Sequence, residues 1–435
     1  MIREPVVAGQ FYPASAAQLK AAIKTYIAEE AEKEDVIGLV APHAGYIYSG
    51  PVAGAVLSRV QIKGSVILIG PNHTGQGAPY SLMSSASWRT PLGKVEIDKE
   101  LAEALLSCSD HLKEDSLAHA REHSLEVQLP FLQYFKPGVK IVPIILRSLD
   151  KKALQEIGVT IARVIKASGK EVLIFASSDM NHYESQQIAR RKDRQAIEAV
   201  LDLDPDELIK RVEQQSITMC GYGPAAVMLY AVKTLGGGQA ELVKYQTSGD
   251  ITGDKSSVVG YAGIIVRRLS PLAALAKAAA ETYVSERKIY QPSELTDEMR
   301  EKSGVFVCIK KAGELRGCIG TFEPNYKNVA EEIVMNAVSS ATRDPRFEAV
   351  TADELKDLEY SVDVLTQPVP VKSLKDLNAK KYGVIVQSGY RRGLLLPDLE
   401  GVDTPEQQIE ICRQKGGIGP DEAVKLYRFE VKRYK

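Results

Sequence analysis

Short apolar runs alternate with stretches of helical spacing through roughly the first 270 residues. That pattern predicts a largely parallel sheet with covering helices. The runs place strands at Val36–Val40, Val66–Ile69, Val139–Leu146, Val172–Phe175, Leu242–Tyr245 and Val258–Val266. Between them, DKELAEALLS from Asp98, KKALQEIGVTIARVIKA from Lys151 and GPAAVMLYAVKTL from Gly223 carry the apolar period of helices. Gly236-Gly237-Gly238 reads as the C-cap of the last helix and a loop. After Val266 the sequence RRLSP leads into the Ala-rich LAALAKAAAETYVSERK, which sets a domain boundary near Ser270. Beyond it come a helix and a hairpin, GVFVCIKK and LRGCIGTF joined at Ala312-Gly313. The helix NVAEEIVMNAVSSAT, the strand YSVDVLT, a second hairpin around Ser388-Gly389, a helix near Ile409 and a closing strand follow. The expected fold is α/β. A mixed, mostly parallel sheet covered by helices fills residues 1–268, and a smaller α+β domain fills residues 272–435.

The 435 residues are too many for one ordinary domain. Lys and Arg number 55 against 56 Asp and Glu, a balance without long-range attraction for nucleic acid or an anionic membrane. Neither is expected as a partner. The apolar runs are strand-sized, far short of the ~20 residues that span a bilayer. The start, MIREPVVAGQFYPAS, has no apolar signal region. Five cysteines form neither an even framework nor a C-x-x-C pair, so free thiols in a reducing cytoplasm are expected.

All six histidines lie in the first 182 residues. Three polar clusters fall just past predicted strand ends: Pro42-His43-Ala44-Gly45-Tyr46, Gly70-Pro71-Asn72-His73 and Ser177-Ser178-Asp179-Met180-Asn181-His182. In open α/β sheets such ends form the ligand crevice. A single histidine is more often structural; three at equivalent positions point to a site. A fourth cluster, Arg121-Glu122-His123-Ser124-Leu125-Glu126-Val127-Gln128-Leu129-Pro130, sets His123 and Glu126 on one face if it is helical. Its bland reading is a solvated amphipathic turn. His111 and His119 have no such setting and read as surface residues. Cys220 enters a helix, where the dipole favours a thiolate; the alternative is a small buried side chain. Ser248 to Ser257, rich in Gly, Asp and Ser, reads as a flexible loop or a pocket wall.

The ordered set PHAGY, GPNH, REHSLEVQLPF, SSDMNHY, MCGYGP and SGDITGD…VVGYAG resembles the Memo family across residues 1–268. The resemblance implies a fold like the class III extradiol dioxygenases, with His43, His73 and Cys220 as metal ligands. His182, Asp179 and His123 match the family's other pocket residues, the candidate catalytic groups. It also implies a divalent or redox-active transition metal, iron first, with copper or zinc as alternatives. Cys220 stands where the dioxygenases present a carboxylate, and a thiolate favours softer metals. Catechol cleavage therefore does not carry over with the fold.

Residues 272–435 resemble the AMMECR domain through Leu315-Arg316-Gly317-Cys318-Ile319-Gly320-Thr321, Ala341-Thr342-Arg343-Asp344-Pro345-Arg346-Phe347 and Arg392-Gly393-Leu394-Leu395-Leu396-Pro397. The fusion resembles the AmmeMemoRadiSam system, which implies a separate radical S-adenosylmethionine (SAM) protein as partner. Arg316, Arg343 and Arg346 read either as an anion site or as solvated side chains. An uninterrupted ladder from the Ala312-Gly313 turn pairs residue 308 with 317 and puts Cys308 and Cys318 on opposite faces. Three functions stay open: a metal-dependent oxidoreductase or dioxygenase-related component acting on an unknown small or modified substrate, a non-enzymatic metal-binding or redox adaptor, and a zinc hydrolase with His182 or Asp179 as general base.

Overall fold

Strands Val36–Ala41, Ser65–Pro71 and Val172–Ser177 are buried at every position. Such continuous apolar runs belong in the middle of a sheet covered on both faces. The computed structural model describes residues 2–311, 313–399 and 401–435 and sets these three strands side by side. Five neighbours run parallel: Gly93–Ile97, Lys140–Leu146, Ser65–Pro71, Val172–Ser177 and Val36–Ala41. Strand Val258–Arg268 joins 36–41 antiparallel and carries Gly237–Thr247, also antiparallel. The polar clusters after residues 41, 71 and 177 therefore emerge at one edge of adjacent parallel strands.

The helices begin where the pattern changes. Asp98 caps Lys99–Cys108 by accepting from the Leu101 N–H, and Asp150 caps Lys151–Ser168 through the Ala153 N–H. Gly236, at φ 83°, turns the chain after helix Tyr222–Thr234. The expected three-glycine loop is shorter than that, because Gly237 already pairs with Arg268 at the end of an 11-residue partner strand. Ser248–Thr252 is a short helix closed by a capping box between Thr247 and Asp250. Its Asp250 also accepts from Gln186 and Arg190, so this segment is tied to helix Gln186–Leu201. A hairpin of Ser87–Thr90 and Gly93–Ile97 went unread in the sequence because Ser, Arg and Thr blur its alternation.

The chain divides into two compact units between Arg268 and Leu269. In the second, helices Pro271–Glu286 and Val329–Thr342 pack on a sheet ordered Glu314–Thr321, Val305–Lys311, Leu358–Leu365, Val431–Tyr434. A second four-stranded sheet holds Val369–Pro370, Lys425–Phe429, Gly383–Ser388 and Arg391–Leu395, with helix Pro405–Gly416 against it. Gly317 lets helix 329–342 lie directly on strand 314–321, since a Cβ there would collide with the Ser340 carbonyl.

The expected register of the first hairpin is wrong by one residue. Lys310 pairs with Leu315 but Ile309 pairs with Gly317, so Arg316 is bulged out and Cys308 lies directly opposite Cys318. The bulge is held from outside the ladder. Arg316 donates to Glu354 from Nε and Nη2, at 3.1 and 2.9 Å, and to the Glu348 carbonyl at 2.8 Å. Arg346 likewise binds Asp344 at 2.9 and 2.7 Å. Both guanidiniums already have carboxylate partners, which argues against an anion site built on them.

This arrangement has an acid signature. The Arg316 bond outweighs the cost of burial and brings the Glu354 carboxyl down to about 2. A depressed carboxyl contributes stability in full above its unfolded value near 4.5, and that contribution fades as pH falls toward about 2. Arg316→Met should lower the melting temperature at pH 7 and flatten the loss of stability between pH 4.5 and 2. An unchanged acid limb in thermal melts of the variant would remove Glu354 from this role.

Candidate metal centre

Each strand end delivers a histidine whose Nδ1 is already engaged. His43 is 2% exposed. Its backbone N–H donates to Asp179 Oδ1 at 2.7 Å, and its Nδ1 lies 2.9 Å from Ser177 Oγ. The Ser177 hydroxyl gives its one proton to the Ser124 carbonyl at 2.7 Å and accepts from Gln128 Nε2 at 2.9 Å. It can only accept from His43, so His43 carries its proton on Nδ1 and presents a bare Nε2. Burial, then the neighbouring histidines, hold His43 well below the usual imidazole range.

His73 is oriented by Glu122, which is 0% exposed. The carboxylate accepts the His73 backbone N–H at 2.6 Å and Nδ1–H at 2.8 Å, and the Ser124 N–H at 2.9 Å. Burial would raise the Glu122 carboxyl, yet these bonds and the His73 charge bring it to about 2. For His73, burial pulls down and Glu122 pulls up, with a net rise. His123 stacks on His73 with ring centroids 4.7 Å apart, and its Nδ1 is 3.6 Å from the same carboxylate. Burial dominates there and lowers its pKa.

The result is a triad of imidazoles. Ligating nitrogens of His43, His73 and His123 all lie within 4.8 Å of one another. Cys220, just before helix 222–234, approaches this group through His43, its Sγ 3.3 Å from Nε2. The Asp179 N–H donates to the sulfur at 3.3 Å. Burial and then the Asp179 charge push the thiol up, so proximity to a helix N-terminus does not by itself make it a thiolate. Asp179 is 4% exposed, and its burial raises it to about 6 against the His43 N–H and His182. His182 stands half-buried at the rim, its Nδ1 2.9 Å from the Thr218 carbonyl, which leaves its Nε2 without a hydrogen-bond partner among the described residues.

Residues 121–125 are not helical, and only Glu126–Gln128 forms a 3-10 turn, so His123 and Glu126 do not share a helix face. Glu126 does not belong to the triad. It forms a buried ion pair with Arg3 and accepts from Val6 N–H, Val7 N–H and the Tyr12 hydroxyl. His119, expected at the surface, is 0% exposed and packs edge-on to Trp88. His111 is half-buried against Tyr80. Glu122, Ser124, Gln128 and Ser177, which hold the triad's histidines in place, are the residues that periodicity passed over. The one signal for Glu122 was a carboxylate beside a histidine in a non-periodic segment.

Three correctly aimed imidazoles suit zinc, copper, iron or nickel, and the Glu122–His73 pair is the outer-shell contact that fixes a ligand's tautomer. The residues fit a transition metal. The Arg3–Glu126 pair tests the scaffold separately from the donors. Removing one partner of a buried pair costs about 3–5 kcal/mol. Glu126→Gln should therefore lower unfolding stability by that order, as read from denaturant titration. A loss under about 1 kcal/mol would contradict its role as anchor of residues 3–12.

Residues 3–265 match the family model described as Memo-like protein, and residues 273–434 match the model described as AMMECR1. A MEMO1 family protein from Methanococcoides burtonii is 47% identical over 268 residues, covering 61% of this chain and 100% of its own. One from Methanopyrus kandleri is 43% identical over 282 residues, 62% of this chain and 100% of its own. A solved structure of an uncharacterized protein from Pyrococcus horikoshii is 34% identical, covers 37% of this chain and 88% of its own, and has a TM-score of 0.35. The match over residues 3–265 takes in every histidine, Glu122 and Cys220, and extends over well more than half of the sequence. The chain belongs to the Memo-like protein family.

Proposed function

We propose that the first unit is the metal-dependent component of an oxidoreductase-like, dioxygenase-related activity on a small organic or modified substrate. It works with a separate radical SAM protein as partner. The supporting observation is the convergence of His43, His73 and His123, with Ser177 and Glu122 holding the Nδ1 atoms of the first two. These residues hold the metal, iron first and copper or zinc as alternatives, and Cys220 adds a softer donor beside His43. When bound, the metal supplies a Lewis-acidic centre, redox-capable where it is iron or copper. The chain's own residues do the rest. Glu122 keeps the His73 ring aimed, and Asp179, with its carboxyl near 6, stores or releases a proton close to neutral pH. His182 offers an unengaged Nε2 at the rim for proton exchange with solvent or substrate.

Metal analysis of untagged protein, followed by an anaerobic assay with the radical SAM partner, tests this reading. About one equivalent of iron or copper is expected, lost in His73→Ala and His123→Ala. Glu122→Gln should weaken metal affinity about 10–100-fold with little change in secondary structure by circular dichroism. Full metal retention in His123→Ala together with loss in Cys220→Ser would replace the three-histidine donor set by one built on the thiol. Zinc alone, with no redox response, would turn the reading toward a hydrolase.

A further inference from the structure

The bulge at Arg316 brings together two cysteines that nothing in the first unit's chemistry uses. Cys308 and Cys318 are cross-strand partners, both partly exposed and both free thiols. They stand on the sheet face opposite helix 329–342, since Val305, Val307 and Ile309 fill the buried face of the same strand.

The type of pairing matters. The Cys318 N–H donates to Asp344 Oδ2 at 2.8 Å, and its carbonyl accepts from Arg346 Nη2 at 3.2 Å. Both backbone groups therefore point away from strand 305–311, which makes 308/318 a non-hydrogen-bonded pair. At the next position, where a ladder bond belongs, the Ser340 hydroxyl bridges instead, accepting from the Ile319 N–H and donating to the Val307 carbonyl, each at 2.8 Å. Non-hydrogen-bonded antiparallel pairs have Cα atoms about 4.5 Å apart, within the roughly 4.4–6.8 Å that a disulfide spans. Facing each other across the two strands, each thiol shifts the titration of the other.

We propose that Cys308 and Cys318 form a reversible dithiol–disulfide site that reacts with small-molecule disulfides. The Cys308 thiolate attacks one sulfur of the disulfide, a protein–small-molecule S–S bond forms, and a small thiolate leaves. The Cys318 thiolate then attacks Cys308 Sγ, closing the cross-strand disulfide and expelling the second small thiolate. Two protein thiols are oxidised, one small disulfide is reduced to two thiols, and the two protons pass to solvent or to the departing thiolates. The order of attack follows the surroundings. The neighbouring Cys318, with Lys310 and Arg433 assisting, holds Cys308 below its usual thiol range despite burial, while Cys308 and burial raise Cys318. Asp363 opposes thiolate formation at both, but its carboxylate is held by Arg433 at 2.8 Å.

The test uses the full chain carrying Cys108→Ser, to remove an exposed competing thiol, treated with oxidised glutathione, acid-quenched and alkylated. Trypsin cuts after Lys310, Lys311 and Arg316, so the expected product is peptide 303–310 joined to peptide 317–327 by a disulfide, without retained glutathione. Free-thiol titration should then show two of the remaining four thiols lost, and dithiothreitol should restore both. Cys318→Ser should stop at one glutathione retained on Cys308. The map on unsubstituted Cys308 and Cys318 stands even if that variant folds poorly. Both residues recovered as alkylated thiols, at glutathione ratios that modify Cys108 in the wild-type chain, would overturn the proposal. So would separate glutathione adducts on each.

Discussion

A carboxylate sealed from water keeps its charge only if fixed donors surround it, and the candidate site is organised around one such group. Glu122 accepts from the backbone and ring of His73 and from the Ser124 N–H. Ser124 in turn receives the Ser177 hydroxyl proton, and Ser177 fixes the tautomer of His43. Three strand-end loops are thereby coupled through a few short hydrogen bonds. Losing the carboxylate would free the His73 ring directly, and the effect would reach His43 through Ser124 and Ser177.

The same chain segment is held from behind by Arg3. Its guanidinium donates to the carbonyls of His119 and Glu122, at 2.9 and 2.6 Å, and pairs with Glu126. Two adjacent acids in one motif thus have opposite tasks. Glu122 faces the imidazoles, while Glu126 ties residues 3–12 to the loop that carries His123. Buried ion pairs are weak sources of net stability, but they specify one arrangement when their hydrogen bonds are complete. Here that arrangement keeps His123 stacked on His73.

The second unit handles its own motif in a comparable way. In LRGCIG, Arg316 is pulled out by Glu354, Gly317 admits the backbone of helix 329–342, and Asp344 takes the Cys318 N–H. Much of the motif therefore serves backbone packing. The cysteine pair is a by-product of that packing, since the bulge that lets Arg316 reach Glu354 is also what aligns residue 318 with residue 308.

Apolar periodicity in the sequence was enough to identify the central strands, the helices that begin at Lys99 and Lys151, and the convergence of His43, His73 and the 177–182 cluster on one sheet edge. Each of these rests on local pattern plus the rule that parallel neighbours share their carboxyl ends. Glu122 as the orienting acid, the departure of Glu126, the burial of His119 and the Cys308–Cys318 register were legible only in the tertiary structure. The conditional helical reading of residues 121–130 paired His123 with Glu126, and it fails because a turn followed by a 3-10 segment does not repeat every 3.6 residues. An uninterrupted ladder assumed for the hairpin failed because Glu354, 38 residues away from Arg316, decides where the bulge falls. Sequence spacing sets which side chains share a regular element. Where elements are interrupted, direction and register are set by partners distant in the chain, and only folding brings those into reach.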